Sequence, residues 1–109
     1  MIIEARDDVI RLTGAMEKNA WSSIQAALNF LLKDRPKGII VDCLGLRIVS
    51  EEGADTFLEM IEYTQAKGKR ILFCNLPENA REQVKRIPGL RSQLPIANSL
   101  EEARQSLEV

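Results

Sequence analysis

Histidine is absent from this 109-residue chain. That removes the Ser-His-Asp and Cys-His nucleophile systems, which need an imidazole to take the proton. Only two cysteines are present. With no histidine beside them, Cys43 and Cys74 do not make a zinc ligand set. No Walker-type loop and no GxGxxG turn occur, so a phosphate-cradling glycine loop is missing. Aromatic residues make up 5% of the chain and are not interleaved with its basic residues, which leaves no platform for stacking bases. Charge is nearly balanced, 15 basic against 16 acidic residues, for a net of -1. Such a chain does not coat nucleic acid through bulk charge. No apolar run reaches the roughly 18 residues of a membrane span. The opening "MIIEARDDVI" lacks the basic leader and apolar stretch of a signal peptide. The expectation is a cytoplasmic protein with no catalytic residues, metal or cofactor.

What the chain does contain is ordinary for a globular domain: 45% apolar and 28% charged residues. Its length suits one domain, residues 1–109, with a modest core. "MIIEARDD" and "VIRLTG" read as a hairpin ending at Gly14. From Asn19 to Lys33, Trp21, Ile24, Ala27, Leu28, Leu31 and Leu32 repeat at helical spacing. "DRPKG" stops that helix. "GIIVDCLGL", Gly38 to Leu46, is a β-branched run typical of a strand covered on both faces. A second helix is expected from about Glu51 to Lys67, with Ala54, Phe57, Leu58 and Ile61 inward. "RILFCNLP" gives another buried strand, "ENAREQVKRI" a short helix, and Leu94 to Ala97 a brief strand. Ser99 then caps a last helix, with Glu102 three residues on. Strands alternating with helices predict an α/β fold: a mostly parallel sheet with an antiparallel N-terminal hairpin and about four helices. The two cysteines are expected in the core. They pair only if their strands are neighbours and the side chains share a face.

One stretch, "RIVSEEGAD" from Arg47 to Asp55, stands where open α/β sheets place their functional sites, at the carboxyl ends of the strands. Ser50 is a good N-cap, and Glu51 and Glu52 suit the positive end of a helix. Ser50 is also a serine that a kinase could modify. Catalysis by the two carboxylates is disfavoured, because adjacent helical residues diverge by about 100°. Glu51, Glu52, Asp55, Glu59 and Glu62 form an acidic stripe about a quarter-turn from the apolar face. Basic residues gather elsewhere: Lys67, Lys69, Arg70, Arg81, Lys85, Arg86 and Arg91. Trp21 is expected in the core or bordering the same edge.

The order of elements, together with "IIVDCLGLRIVSEEGA" and the closing "LPENAREQVKRIPGLRSQLPIANSLEEA", resembles the STAS family of anti-sigma-factor antagonists. Asp42 lies in the strand before the family's signature loop, and Gly53 aligns with the family glycine. That loop usually carries "DSSG"; here it reads "SEEG". Ser50 stands at the aspartate position, and Glu51 at the serine that a partner kinase phosphorylates. The resemblance implies a bacterial, non-catalytic signalling domain that regulates transcription through protein–protein contacts. Its partner-binding residues are then Ser50, Glu51, Glu52, Gly53, Asp55, Glu59 and Glu62, with Ser50 a displaced phosphorylation site at most. The implied partner is an anti-sigma factor or a serine-kinase-like protein. An alternative is a small cytosolic STAS subunit docking on a membrane transporter, which would be its one link to a membrane. A nucleotide sensor would need the phosphate loop that this chain lacks.

Overall fold

A computed structural model describes residues 1–35, 37–89 and 94–108. The elements run β1 (Ile2–Arg6), β2 (Val9–Met16), α1 (Ala20–Leu32), β3 (Gly38–Val49), α2 (Asp55–Ala66), β4 (Arg70–Cys74), α3 (Glu78–Lys85), β5 (Ile96–Ala97) and α4 (Leu100–Glu108). The five strands lie in one sheet in chain order. β1 and β2 are antiparallel, and every later pair is parallel. Asp7 closes the hairpin with φ 56°, a left-handed conformation that aspartate tolerates better than most residues.

Strand order never reverses. Right-handed crossovers therefore put α1, α2 and α3 on one face of the sheet. Their apolar sides share one core with Ile10, Leu12, Ile39, Val41, Ile71 and Phe73. At its centre Phe57 meets Phe73 edge to face, with centroids 5.4 Å apart. α4 follows the last strand and covers the other face, packing Ala103 and Leu107 on Val9, Ile40, Leu72 and Cys74.

Two sequence expectations shift at β2 and β3. β2 does not end at Gly14. That residue takes φ 105° within the strand and marks a register shift, and the strand continues to Met16. β3 does not end at Leu46. It runs on to Val49, so "RIV" is strand and not loop. Two irregularities let its second half follow β2. The first of them is held by Asp42, whose carboxylate is buried. It accepts hydrogen bonds from the Leu44 N–H (3.0 Å), Asn75 Nδ2 (3.1 Å) and Arg11 Nε (3.3 Å). A buried carboxylate needs such partners, and here they fix the bend of β3 and the left-handed Asn75 that ends β4.

The cysteines fail the shared-face condition. Cys43 lies in the three-helix core and Cys74 in the α4 core, on opposite faces of neighbouring strands. Both are free and buried. Burial pushes the Cys43 thiol far up and, with the nearby Asp42, pushes Cys74 up to about 11. Both thiols stay protonated and poorly nucleophilic at neutral pH.

Candidate functional site

The stretch after β3 is fastened to the end of β2. The Met16 carbonyl accepts the Ser50 N–H at 3.0 Å and the Ser50 hydroxyl at 3.4 Å. The Ser50 oxygen in turn accepts the Gly53 N–H at 2.9 Å. Serine thus does what an N-cap does, by satisfying a backbone donor three residues ahead. The Ala54 N–H completes the turn on the Ser50 carbonyl at 3.0 Å. Gly53 is pressed onto the same anchor. A Cβ there would lie 2.1 Å from the Met16 oxygen and 2.6 Å from its carbon. No side chain fits in that space, so the glycine is a steric requirement.

The turn delays the helix. α2 starts at Asp55, not at Glu51, and residues 51–54 form the turn that leads in. Its first bonds are short-range, Thr56 N–H to the Gly53 carbonyl and Phe57 N–H to the Ala54 carbonyl. Glu51 and Glu52 are exposed on that turn, while Ser50 is half-buried and Gly53 buried.

Asp55, Glu59 and Glu62 continue along the outer side of α2, all exposed. Ala54, Thr56, Phe57, Met60, Ile61 and Thr64 are buried, and Leu58 only half so. At about 100° per residue the stripe therefore lies opposite the core, not a quarter-turn from it. Met60, Thr56 and Thr64 shift the buried side away from the stripe, and Leu58, on the stripe's flank, is only half-buried. The stripe is electrostatically coupled: partial burial, then Asp55, then Glu62, raise the Glu59 carboxyl above its ordinary value. A raised carboxyl means that the folded state holds the proton more tightly than the unfolded chain. Folding is therefore penalised above the raised value, and the penalty fades as pH falls toward 4.5. Glu59→Gln is expected to raise the melting temperature at pH 7 and to lose that gain in acid. Thermal unfolding of both proteins across a pH series checks the sign.

The structure brings all seven sequence-derived positions to one end of the domain or to the helix leaving it. Ser50 and Gly53 build the turn, and the five carboxylates lie on its surface. Trp21 does not join them. It is half-buried on the seam between α1 and α2, edge to face with Tyr63 at 5.7 Å. Four of the seven basic residues make contacts within the fold. Lys69 donates to the Leu32 carbonyl at the end of α1, and Arg70 to the Ser106 carbonyl in α4. Lys67 sits 5.0 Å over the Tyr63 ring, and Arg81 bonds the Leu76 carbonyl at 3.2 Å. Lysine and arginine suit helix carboxyl ends, and these are spent on fold contacts. Arg91 lies outside the described residues. Met16 had no signal in the sequence beyond the glycine that must approach it.

Among the described residues no cluster of three or more metal-ligating side chains occurs, and no helix is long and apolar enough to cross a membrane.

The STAS domain profile matches residues 1–103. The chain belongs to the STAS domain family. No curated protein sequence matches it. Solved structures with the same fold include RsbS of Moorella thermoacetica carrying a serine-to-glutamate substitution. It is 20% identical, with TM-score 0.63 over 98% of this chain and 93% of that one. A chain from the molecular architecture of the stressosome, a signal integration and transduction hub, is 19% identical. Its TM-score is 0.65 over 98% of this chain and 96% of that one. The anti-sigma factor antagonist SpoIIAA in its unphosphorylated form is 18% identical, with TM-score 0.64 over 96% of this chain and 94% of that one. At these identities the likeness establishes the STAS fold.

Proposed function

We propose that this STAS domain is a non-catalytic regulatory module that binds a protein partner through the Ser50–Gly53 turn and the acidic face of α2. The observation that carries the reading is the turn itself. Ser50 is bonded to the Met16 carbonyl and Gly53 rests against it, so the exposed Glu51 and Glu52 between them stand on an anchored turn and three more carboxylates continue along α2. The sheet's strand order supports a surface contact. Open α/β sheets hold small ligands in the crevice where strand order reverses, and this sheet has no reversal.

The partner is an anti-sigma factor or a serine-kinase-like protein of a cytoplasmic signalling system, as the fold neighbours suggest. The switch that such a partner would operate is fixed here. Glu51 stands where the family serine is expected and carries one permanent negative charge, in place of the roughly -1.5 to -2 of a phosphoserine. One fold neighbour is itself a serine-to-glutamate variant, which is compatible with a carboxylate on this scaffold. The Ser50 hydroxyl is engaged with Gly53 and Met16, which argues against its serving as a free phosphate acceptor.

The test is affinity capture from native lysate, followed by binding measurements on Glu51→Ser. The expected result is a soluble kinase-like protein whose affinity changes in the variant, with the variant's stability within about 1 kcal/mol of the parent's. Capture of a transporter subunit would select the membrane-docking alternative. Stoichiometric, condition-dependent phosphate on Ser50 in host protein would show that the switch had moved by one residue.

A further inference from the structure

β1 is an edge strand of the sheet, and its outer side is open. Ile2, Glu4, Ala5 and Arg6 are exposed, and Ile3 is half-buried. The two-residue turn at Asp7 and Asp8 makes Arg6 and Val9 a hydrogen-bonded pair, so Glu4 and Ile2 also bond inward to β2. Ile3 and Ala5 then direct their N–H and C=O groups outward. Among the described residues no other backbone group takes those bonds. The helix layer stops short of this edge. Ala5 lies beside Ile10 on the three-helix face and is nevertheless exposed. Phe30 is 71% exposed. It stands about 180° around α1 from Trp21, which meets Tyr63 of α2, and so lies on the flank turned away from α2. Arg35, just past α1, donates to the Asp7 carbonyl at 2.8 Å. That bond sets the last turns of α1, and Phe30 with them, at the Asp7 end of β1. Edge strands ordinarily repel a second strand with charge. Here the two charges, Glu4 and Arg6, are opposite in sign and two residues apart. Among the described residues neither is in an ion pair, and Arg11, the cross-strand neighbour of Glu4, is turned to Asp42.

We propose that β1 pairs antiparallel with β1 of a second copy of this chain, about a two-fold axis that passes through the sheet at Ala5. In that register the two Ala5 residues exchange both of their outward bonds. Glu4 of each copy stands opposite Arg6 of the other, in a non-hydrogen-bonded pair, where side chains come closest and opposite charges attract. A register centred on Glu4 or on Arg6 would set like charges face to face. One centred on Ile3 would leave both charges unmatched. The charge pattern therefore selects both the occupant and the register. The axis keeps the three-helix faces of the two copies on the same side of the joined sheet. Both Phe30 side chains then flank the paired alanines, whose small size leaves room for them. Ala5 lies toward the opposite end of β2 from Met16, so each copy keeps its Ser50 turn exposed. The pairing is independent of the proposed function.

Sedimentation equilibrium over a concentration series tests it, on the parent, Glu4→Arg, Arg6→Glu, the double exchange of both, and Ala5→Pro. The parent is expected to pass from one copy to two as concentration rises. Each single reversal should weaken that association by about tenfold or more, because like charges then face each other across the axis. The double exchange should restore it, since opposite signs are back in register. Ala5→Pro deletes an outward N–H at an edge position, where proline is tolerated, and should abolish the association. Melting temperatures near the parent's show that the reversed chains are folded. A parent that stays a single copy up to about 1 mM, the weak end of specific binding, would overturn the proposal. So would single reversals that associate as the parent does, or a double exchange no tighter than the single ones. Partner capture and the Glu51→Ser comparison read the proposed function separately.

Discussion

Gly53→Ala is expected to lower stability by about 2–3 kcal/mol, although it adds a single methyl group to the start of a helix, where alanine is ordinarily favoured. The methyl would stand 2.1 Å from the Met16 carbonyl oxygen, a backbone atom at the end of a paired strand. Nothing flexible is available to yield. Either the turn lifts off β2, breaking the Ser50 bonds to Met16, or β2 itself shifts. For a domain of this size the loss corresponds to a fall of roughly 10 °C or more in melting temperature, which circular dichroism will read. Gly38→Ala is the matched comparison at the far end of β3. There φ is 137°, and a Cβ would meet the Arg70 carbonyl oxygen at 2.0 Å. Both variants should lose stability. At a temperature where both are folded, only Gly53→Ala should lose partner affinity. A parental melting temperature for Gly53→Ala would mean that the turn does not rest on Met16.

Charge reversal on α2 should act on encounter and leave stability alone. Asp55→Lys combined with Glu59→Lys replaces two exposed carboxylates in a stripe of like charges. Toward a basic partner the association rate is expected to fall by tenfold or more at low salt. The gap should narrow as salt rises, because exposed charges are screened beyond about 8 Å at physiological ionic strength. The melting temperature should stay close to the parent's, since both side chains are exposed: two lysines at i,i+4 repel as the two carboxylates do, while the lysine at 59 gains Glu62 three residues on. Phe57→Ala supplies the contrast. That ring is fully buried against Phe73, and its truncation should cost about 3–5 kcal/mol, reducing binding through unfolding. If stopped-flow rates for the reversed protein match the parent across the salt series, α2 is a solvated face and the contact lies elsewhere.

The parts of this fold that a reader of the sequence can see are those with short-range causes. The helical spacing of Trp21 to Leu32 produced α1 within a residue at each end. Ser99 caps α4 as its spacing from Glu102 implied, accepting the Glu102 N–H at 3.1 Å. Ser50 caps its turn for the same reason. What escaped has causes distant along the chain. β3 overruns its apolar run because Asp42 is held by Arg11, within β2, and Asn75, just past the end of β4. The helix begins late because Gly53 must rest on Met16, an approach that no local pattern encodes. The contacts of Lys69, Arg81 and Arg70 also escaped, because their carbonyl partners, at Leu32, Leu76 and Ser106, are invisible until the helices are in place.

The division of the interior into two clusters of unequal size has a consequence for how the molecule breathes. Among the described residues, three helices on one face lock together around twenty-one buried side chains. On the other, a single helix after a two-residue strand shares a cluster of seven described residues. Opening free energies follow the apolar contacts that must be given up, so α4 and β5 form the weaker cooperative unit. They can detach transiently while the three-helix layer persists. The Ser50 turn and the start of α2 belong to that persistent layer. The proposed contact surface therefore keeps its shape through excursions that expose Ile40 and Leu72, and those excursions make the C-terminal segment the first part of the chain offered to a protease.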